Sequence, residues 1–110
     1  MKKLADIEQV NIHTQQDDMC LLFIKTANCG VCDAVFVKTE RLLMSYPKIE
    51  SIFVSLEELP QVSGEYLVFT APTLLMFVRG KEVLRESRFI VFEKLEQNIK
   101  LWYEEVYIEE

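Results

Sequence analysis

The chain is short of the residues that bend a backbone, with three glycines and three prolines among its 110 residues. Repeated Gly-rich, Pro-rich and linker-like architectures are thereby excluded, and each Gly or Pro marks a specific backbone event. Long apolar runs are also missing. The strongly apolar stretches, such as Leu74 to Val78, are strand-sized and far below the roughly 20 residues of a membrane-spanning helix. Lys2 and Lys3 could open a secretory signal, but Asp6 and Glu8 interrupt the apolar segment it requires. There is no Lys/Arg cluster, and 12 basic against 18 acidic residues give a net charge of −6. That balance disfavours binding to nucleic acid or to an anionic membrane. Nor do the cysteines form an even set, since there are three, which argues against the disulfide framework of a small secreted domain. These absences together lead to the expectation of a cytoplasmic protein in a reducing compartment.

What is present is an ordinary globular composition, half hydrophobic and 27% charged, enough for one core and one domain spanning 1–110. Leu4, Ile7, Val10 and Ile12 suggest an amphipathic helix over Leu4 to Gln16. Met19 to Lys25 reads as a central strand covered on both faces. Cys32, Val35, Phe36, Thr39, Leu42 and Leu43 form one stripe of a helix that must stop before Pro47. Ile49 to Leu56 predicts a second buried strand, and Glu57 to Tyr66, with Pro60 and Gly64, a short irregular helix and loop. Thr73 to Val78 is the next strand, turned at Arg79-Gly80 into Glu82 to Ile90. Phe92, Leu95, Ile99, Trp102 and Val106 mark the core face of a last helix, and Glu104-Glu105 with Glu109-Glu110 a solvated end. The order α-β-α-β-α-β-β-α implies an α/β fold: a central mixed β-sheet flanked by helices on both faces.

Cys29-Gly30-Val31-Cys32 falls where a buried strand hands the chain to a helix. The first sulfur there faces unpaired backbone N–H groups and the positive end of the helix dipole, which favours thiolate. Thiolate is the attacking species in disulfide exchange, and a second thiol one turn on can resolve the mixed disulfide. Cys29 is therefore the candidate nucleophile and Cys32 the candidate resolver. An inert buried pair and half of a zinc site are the competing readings. Zinc needs two further ligands, and Cys20, His13 and the carboxylates lack ligand-type spacing. Haem attachment requires a histidine after the second cysteine, where Asp33 stands. Asp33 suits the first turn of a helix, although an anion there opposes a thiolate at Cys29. Cys20, inside a predicted strand, reads as core, and His13 as a surface residue.

Thr26-Ala27-Asn28-Cys29-Gly30-Val31-Cys32, and Ala71-Pro72-Thr73-Leu74-Leu75-Met76-Phe77-Val78-Arg79-Gly80-Lys81 with Pro72 standing 43 positions after Cys29, resemble the thioredoxin family over nearly the whole chain. The resemblance implies a thioredoxin-like fold and a thiol-disulfide oxidoreductase whose only redox group is a Cys29–Cys32 disulfide, with no separate cofactor and no metal. It implies a cis peptide bond at Pro72, packed against the cysteine pair, and a backbone at Ala71 that receives an extended substrate. Asn28, Gly30, Val31, Ala71 and Pro72 are then the substrate-binding residues. The implied partners are protein disulfides and an unidentified thiol reductase or oxidant, acting on a monomer, with no nucleic acid and no membrane. A redox-responsive binding module with poor turnover is the alternative. A glutaredoxin is disfavoured because no Gly-Gly site follows the proline strand.

Five positions depart from the family pattern. Asn28 replaces a tryptophan and is expected to cap the helix, and Val31 replaces a proline in the dipeptide that tunes reduction potential. Phe23 replaces the buried aspartate that helps deprotonate the resolving thiol, and Phe53 its lysine partner, so apolar packing replaces a charge pair without stranding one charge. Arg88 replaces a glycine that floors the substrate groove.

Overall fold

The computed structural model describes residues 1–107. Its elements are β1 (Lys2–Lys3), α1 (Ile7–Gln16), β2 (Met19–Lys25), α2 (Gly30–Leu43), β3 (Glu50–Ser55), α3 (Gln61–Tyr66), β4 (Thr73–Val78), β5 (Lys81–Ser87) and α4 (Phe92–Tyr107). The sheet order is β1-β3-β2-β4-β5. The β1/β3 and β2/β3 pairs are parallel, and the β2/β4 and β4/β5 pairs antiparallel. This is the mixed sheet that the strand-helix alternation and the late hairpin predict.

Strand β2 organises the molecule because its side chains feed both cores alternately. Cys20, Leu22 and Ile24 point to one face, where they join Val10 of α1 and Val62 of α3. Met19, Leu21 and Phe23 point to the other, where they meet Val35 and Leu43 of α2 and Leu95, Ile99 and Val106 of α4. Six successive residues from Met19 to Ile24 are buried, as a strand covered on both sides requires.

Two element boundaries differ by three residues from the sequence expectation. The first helix begins at Ile7, not Leu4, because Asp6 caps it by accepting the Glu8 N–H at 3.0 Å. The residues before it extend the sheet, with Leu4 N–H donating to the Phe53 carbonyl at 3.0 Å. Ile12 lies outside the apolar stripe, which is carried by Val10 and Thr14, and is 42% exposed. Strand β5 ends at Ser87, not Ile90, because Arg88 adopts φ 65° and turns the chain away from the sheet. The Arg79-Gly80 turn forms as predicted: both residues have positive φ, and Val78 pairs with Lys81. Of the acidic end, Glu104 and Glu105 are exposed on α4, whereas Glu109-Glu110 lie outside the described residues.

Candidate functional site: a dithiol at a helix N-terminus

Helix α2 starts directly after a short loop from β2, and its N-cap is Cys29 itself. The Cys29 Sγ accepts the Cys32 N–H at 3.1 Å. A sulfur thus occupies the place where a Ser, Asp or Asn oxygen would satisfy a free helix N–H. Asn28, expected to cap, does not. It is exposed with φ 55°, a left-handed position that asparagine tolerates, and it turns the loop so that the next residue can cap. Cys29 and Cys32 are joined as a disulfide with Cα atoms 5.2 Å apart. The two sulfurs are unequally placed, since Cys32 is fully buried and Cys29 half-buried. A Cβ on Gly30 would meet nothing within 4 Å, and Val31 is 58% exposed, so the inner dipeptide faces solvent beside Cys29.

The second motif reaches the same end of the sheet through strand register. Ile24 near the end of β2 pairs with Thr73 at the start of β4, and Thr73 pairs with Ser87 near the end of β5. Pro72, buried, precedes Thr73, and the Ala71–Pro72 peptide bond is cis. Across from it, Arg88 N–H donates to the Pro72 carbonyl at 2.8 Å. The Cys29–Cys32 loop, Ala71-Pro72 and Arg88 therefore share one edge of the fold.

Among the described residues no carboxylate is buried beneath the dithiol. Phe23 and Phe53 are register partners on β2 and β3, and Phe36 of α2 packs edge-on against both, with ring centroids 5.3 and 4.9 Å away. Three interlocked rings thus stand where the family pattern has an aspartate–lysine pair. Lys25, on the same face of β2 as Phe23, lies 6.0 Å from the Phe36 and Phe53 ring centres and 3.7 Å from Asp33 Oδ1. It partly offsets the anion that follows Cys32.

One residue of this region escaped the sequence reading. Glu57, just after β3, accepts the Ala27 N–H at 2.9 Å and the Ser55 hydroxyl at 2.7 Å. These bonds hold its carboxyl below the usual range, the Ser55 bond foremost. The carboxylate ties down the loop that presents Cys29. Its signal in sequence is slight, since any exposed acid after a strand looks alike.

Other candidates lie elsewhere. His13 sits in the last turn of α1, its Nδ1 2.9 Å from Asp17 Oδ2. Cys20 is buried in β2 opposite Phe77, and burial pushes its thiol far up. Among the described residues no group of three or more His, Cys, Asp or Glu is placed to hold a metal ion, and no helix is long and apolar enough to cross a membrane.

A disulfide at the N-terminus of the helix following the central strand, with a cis-proline strand end beside it, defines a thioredoxin-fold dithiol protein. No protein-family model matches the chain, but individual proteins do. The thioredoxin-like protein YdfQ of Bacillus subtilis is 34% identical over 103 residues, covering 94% of this chain and 92% of that protein. Thioredoxin-1 of Saccharomyces cerevisiae is 30% identical over 70 residues, 64% of this chain and 68% of that one. Among solved structures, Fasciola hepatica thioredoxin superposes with a TM-score of 0.77 at 27% identity, over 92% of this chain and 98% of its own. The chain belongs to the thioredoxin family, and its general activity is that of a thiol-disulfide oxidoreductase.

Proposed function

We propose that the protein exchanges a dithiol for a disulfide with protein partners through Cys29, with Cys32 as the resolving thiol. The observation that carries this reading is the inequality of the two sulfurs at one helix N-terminus: the half-buried one caps the helix and the fully buried one lies a turn inside it. In the reducing direction the Cys29 thiolate attacks one sulfur of the partner's disulfide. A mixed disulfide forms and the other partner sulfur leaves as a thiolate. Cys32 then loses its proton and attacks Cys29 Sγ, which closes the Cys29–Cys32 disulfide and frees the partner as a dithiol. The disulfide form runs the same steps backwards with a partner dithiol, and turnover needs a thiol reductant or a disulfide oxidant at each cycle. Unpaired N–H groups and the helix dipole stabilise the Cys29 thiolate. Ala71 and cis-Pro72 receive the partner's extended backbone, flanked by Asn28, Gly30 and Val31. The protein works as a cytoplasmic single domain that needs no further cofactor.

Cys29→Ser is expected to abolish dithiothreitol-coupled reduction of insulin disulfides; unchanged activity overturns the mechanism. Cys32→Ser is expected to accumulate mixed disulfides, resolvable on non-reducing gels. A second reading, a redox-responsive binding module with slow turnover, is favoured by the phenylalanine cluster, which offers no proton acceptor to a buried Cys32. Slow turnover with partner binding that changes on oxidation distinguishes it.

A further inference from the structure

At the edge of the sheet that carries Cys29, Arg88 differs from the other charged groups, Lys25, Asp33 and Glu57. Lys25 pairs with Asp33, and Glu57 is held by Ala27 and Ser55. The Arg88 side chain is exposed, and among the described residues it makes no ion pair and no hydrogen bond. Its backbone is anchored all the same. Thr73 pairs with Ser87, so Arg88 occupies the next rung, with its N–H on the Pro72 carbonyl at 2.8 Å. The residue is thus fixed to the proline that begins the proposed docking strand.

The backbone there is costly for an arginine. With φ 65°, Arg88 is in the left-handed region, which disfavours any residue with a Cβ by roughly 1–2 kcal/mol. Glycine would occupy it freely. A strained non-glycine residue anchored at a site edge is a reason to ask what its side chain does there. The segments that meet at this edge expose apolar side chains: Phe89 is 86% exposed, Phe69 75%, Val31 58% and Val91 56%. Phe89 and Val91 follow Arg88, Phe69 precedes Ala71, and Val31 lies within the dithiol loop. A partner segment covering these side chains removes water from around the guanidinium and strengthens its attraction for an anion. The planar fork of five N–H donors fits a carboxylate bidentately.

We infer that Arg88 is a specificity residue that selects protein disulfides flanked by an aspartate or glutamate. This rests on the exchange reading above, deepening it from protein disulfides in general to an acidic, apolar class of partner segment. The docked chain runs along Ala71-Pro72 with its apolar side chains on Phe69 and Phe89, and its carboxylate on Arg88. Basic segments are rejected at the same point by like charge.

The test uses extended peptides whose single cysteine is disulfide-linked to a chromophoric aryl thiol, identical except for Asp, Asn or Lys beside it. Second-order rates of aryl-thiol release by the reduced protein are divided by those with dithiothreitol, so that each disulfide's intrinsic reactivity cancels. The Asp peptide should be preferred over the Lys peptide by roughly three- to tenfold at low salt, the ratio falling as salt rises. Arg88→Gly should bring the ratio to about one while raising the urea midpoint by relief of strain, Arg88→Lys should keep part of the preference, and Arg88→Glu should reverse it. A wild-type ratio of one, or a ratio unchanged in Arg88→Gly, overturns the inference. Failure of all peptides to react would count against the exchange reading instead. Arg88 is then judged by titrating serine-for-cysteine versions of the peptides into the disulfide form and following amide shifts, where equal affinities for Asp and Lys peptides overturn it.

Discussion

The three cysteine sulfurs of this chain occupy three electrical environments, and the differences are visible one residue at a time. Cys29 meets the free N–H groups of α2, Cys32 is buried behind it, and Cys20 is sealed in β2. Burial raises the Cys20 thiol, with Asp17 and Glu50 adding to it. In the reduced protein at neutral pH, iodoacetamide should therefore label Cys29 first and leave Cys20 unlabelled until the chain is denatured; mass mapping of the labelled peptides checks this. Glu57 acts on the site through backbone, not through sulfur. Glu57→Ala should speed hydrogen exchange at the Ala27 amide and slow disulfide exchange, with Glu57→Gln keeping part of both because it retains one acceptor oxygen. The division of the cysteines is legible in sequence, because CxxC spacing and strand periodicity are local. The role of Glu57 is not, because it depends on β3 ending beside the loop after β2.

At the scale of elements, the dithiol helix rests on rings. Phe23, Phe36 and Phe53 come from β2, α2 and β3 and interlock edge to face. Phe23 is fully buried, so Phe23→Ala should cost roughly 3–5 kcal/mol in urea unfolding. Phe23→Asp alone adds an uncompensated buried charge to the lost ring packing and should cost more than Phe23→Ala. Adding Phe53→Lys, its register neighbour, should recover a measurable part of that loss in a double-mutant cycle. The hairpin offers a separate test. Gly80 has φ 89°, and a Cβ would approach the Gln15 carbonyl oxygen to 3.3 Å. Gly80→Ala should therefore destabilise by about 1–2 kcal/mol, read as a lower urea midpoint. Periodicity identified β2, α2, β4 and α4, but it placed the first helix three residues early and ran β5 three residues long. A side-chain cap at Asp6 starts the one and a left-handed backbone turn at Arg88 ends the other, and apolar spacing encodes neither.

Across the whole molecule, folding moves titrations in two directions. Glu57 and Glu82 have lowered carboxyl values, caused first by hydrogen bonds from Ser55 and from Arg85 respectively. Their contribution is present above the ordinary carboxyl value of the unfolded chain and is lost as pH falls through the folded value. Tyr46, Tyr66 and Tyr107 are raised from 10.0, chiefly by burial. Their contribution is intact below 10.0 and is lost as pH rises through the folded values. Urea midpoints against pH should accordingly form a plateau across neutrality with an acid limb and an alkaline limb, and a midpoint that climbs above the plateau at alkaline pH would contradict this. The same large-scale order assembles the site. Because β2 lies between β3 and β4, with β5 beyond, the ends of four strands converge on one edge and bring residues 29, 57, 72 and 88 together. The sequence by itself determined the mixed α/β class, the dithiol and its proline partner, since spacing within an element and two motifs at a set separation are local or nearly local signals. Only the tertiary structure decided that Cys29 caps its own helix, that Phe36 completes the apolar cluster, and that Glu57 and Arg88 stand on either side of the dithiol. Those relations come from which strand ends lie side by side, a property of sheet order and register.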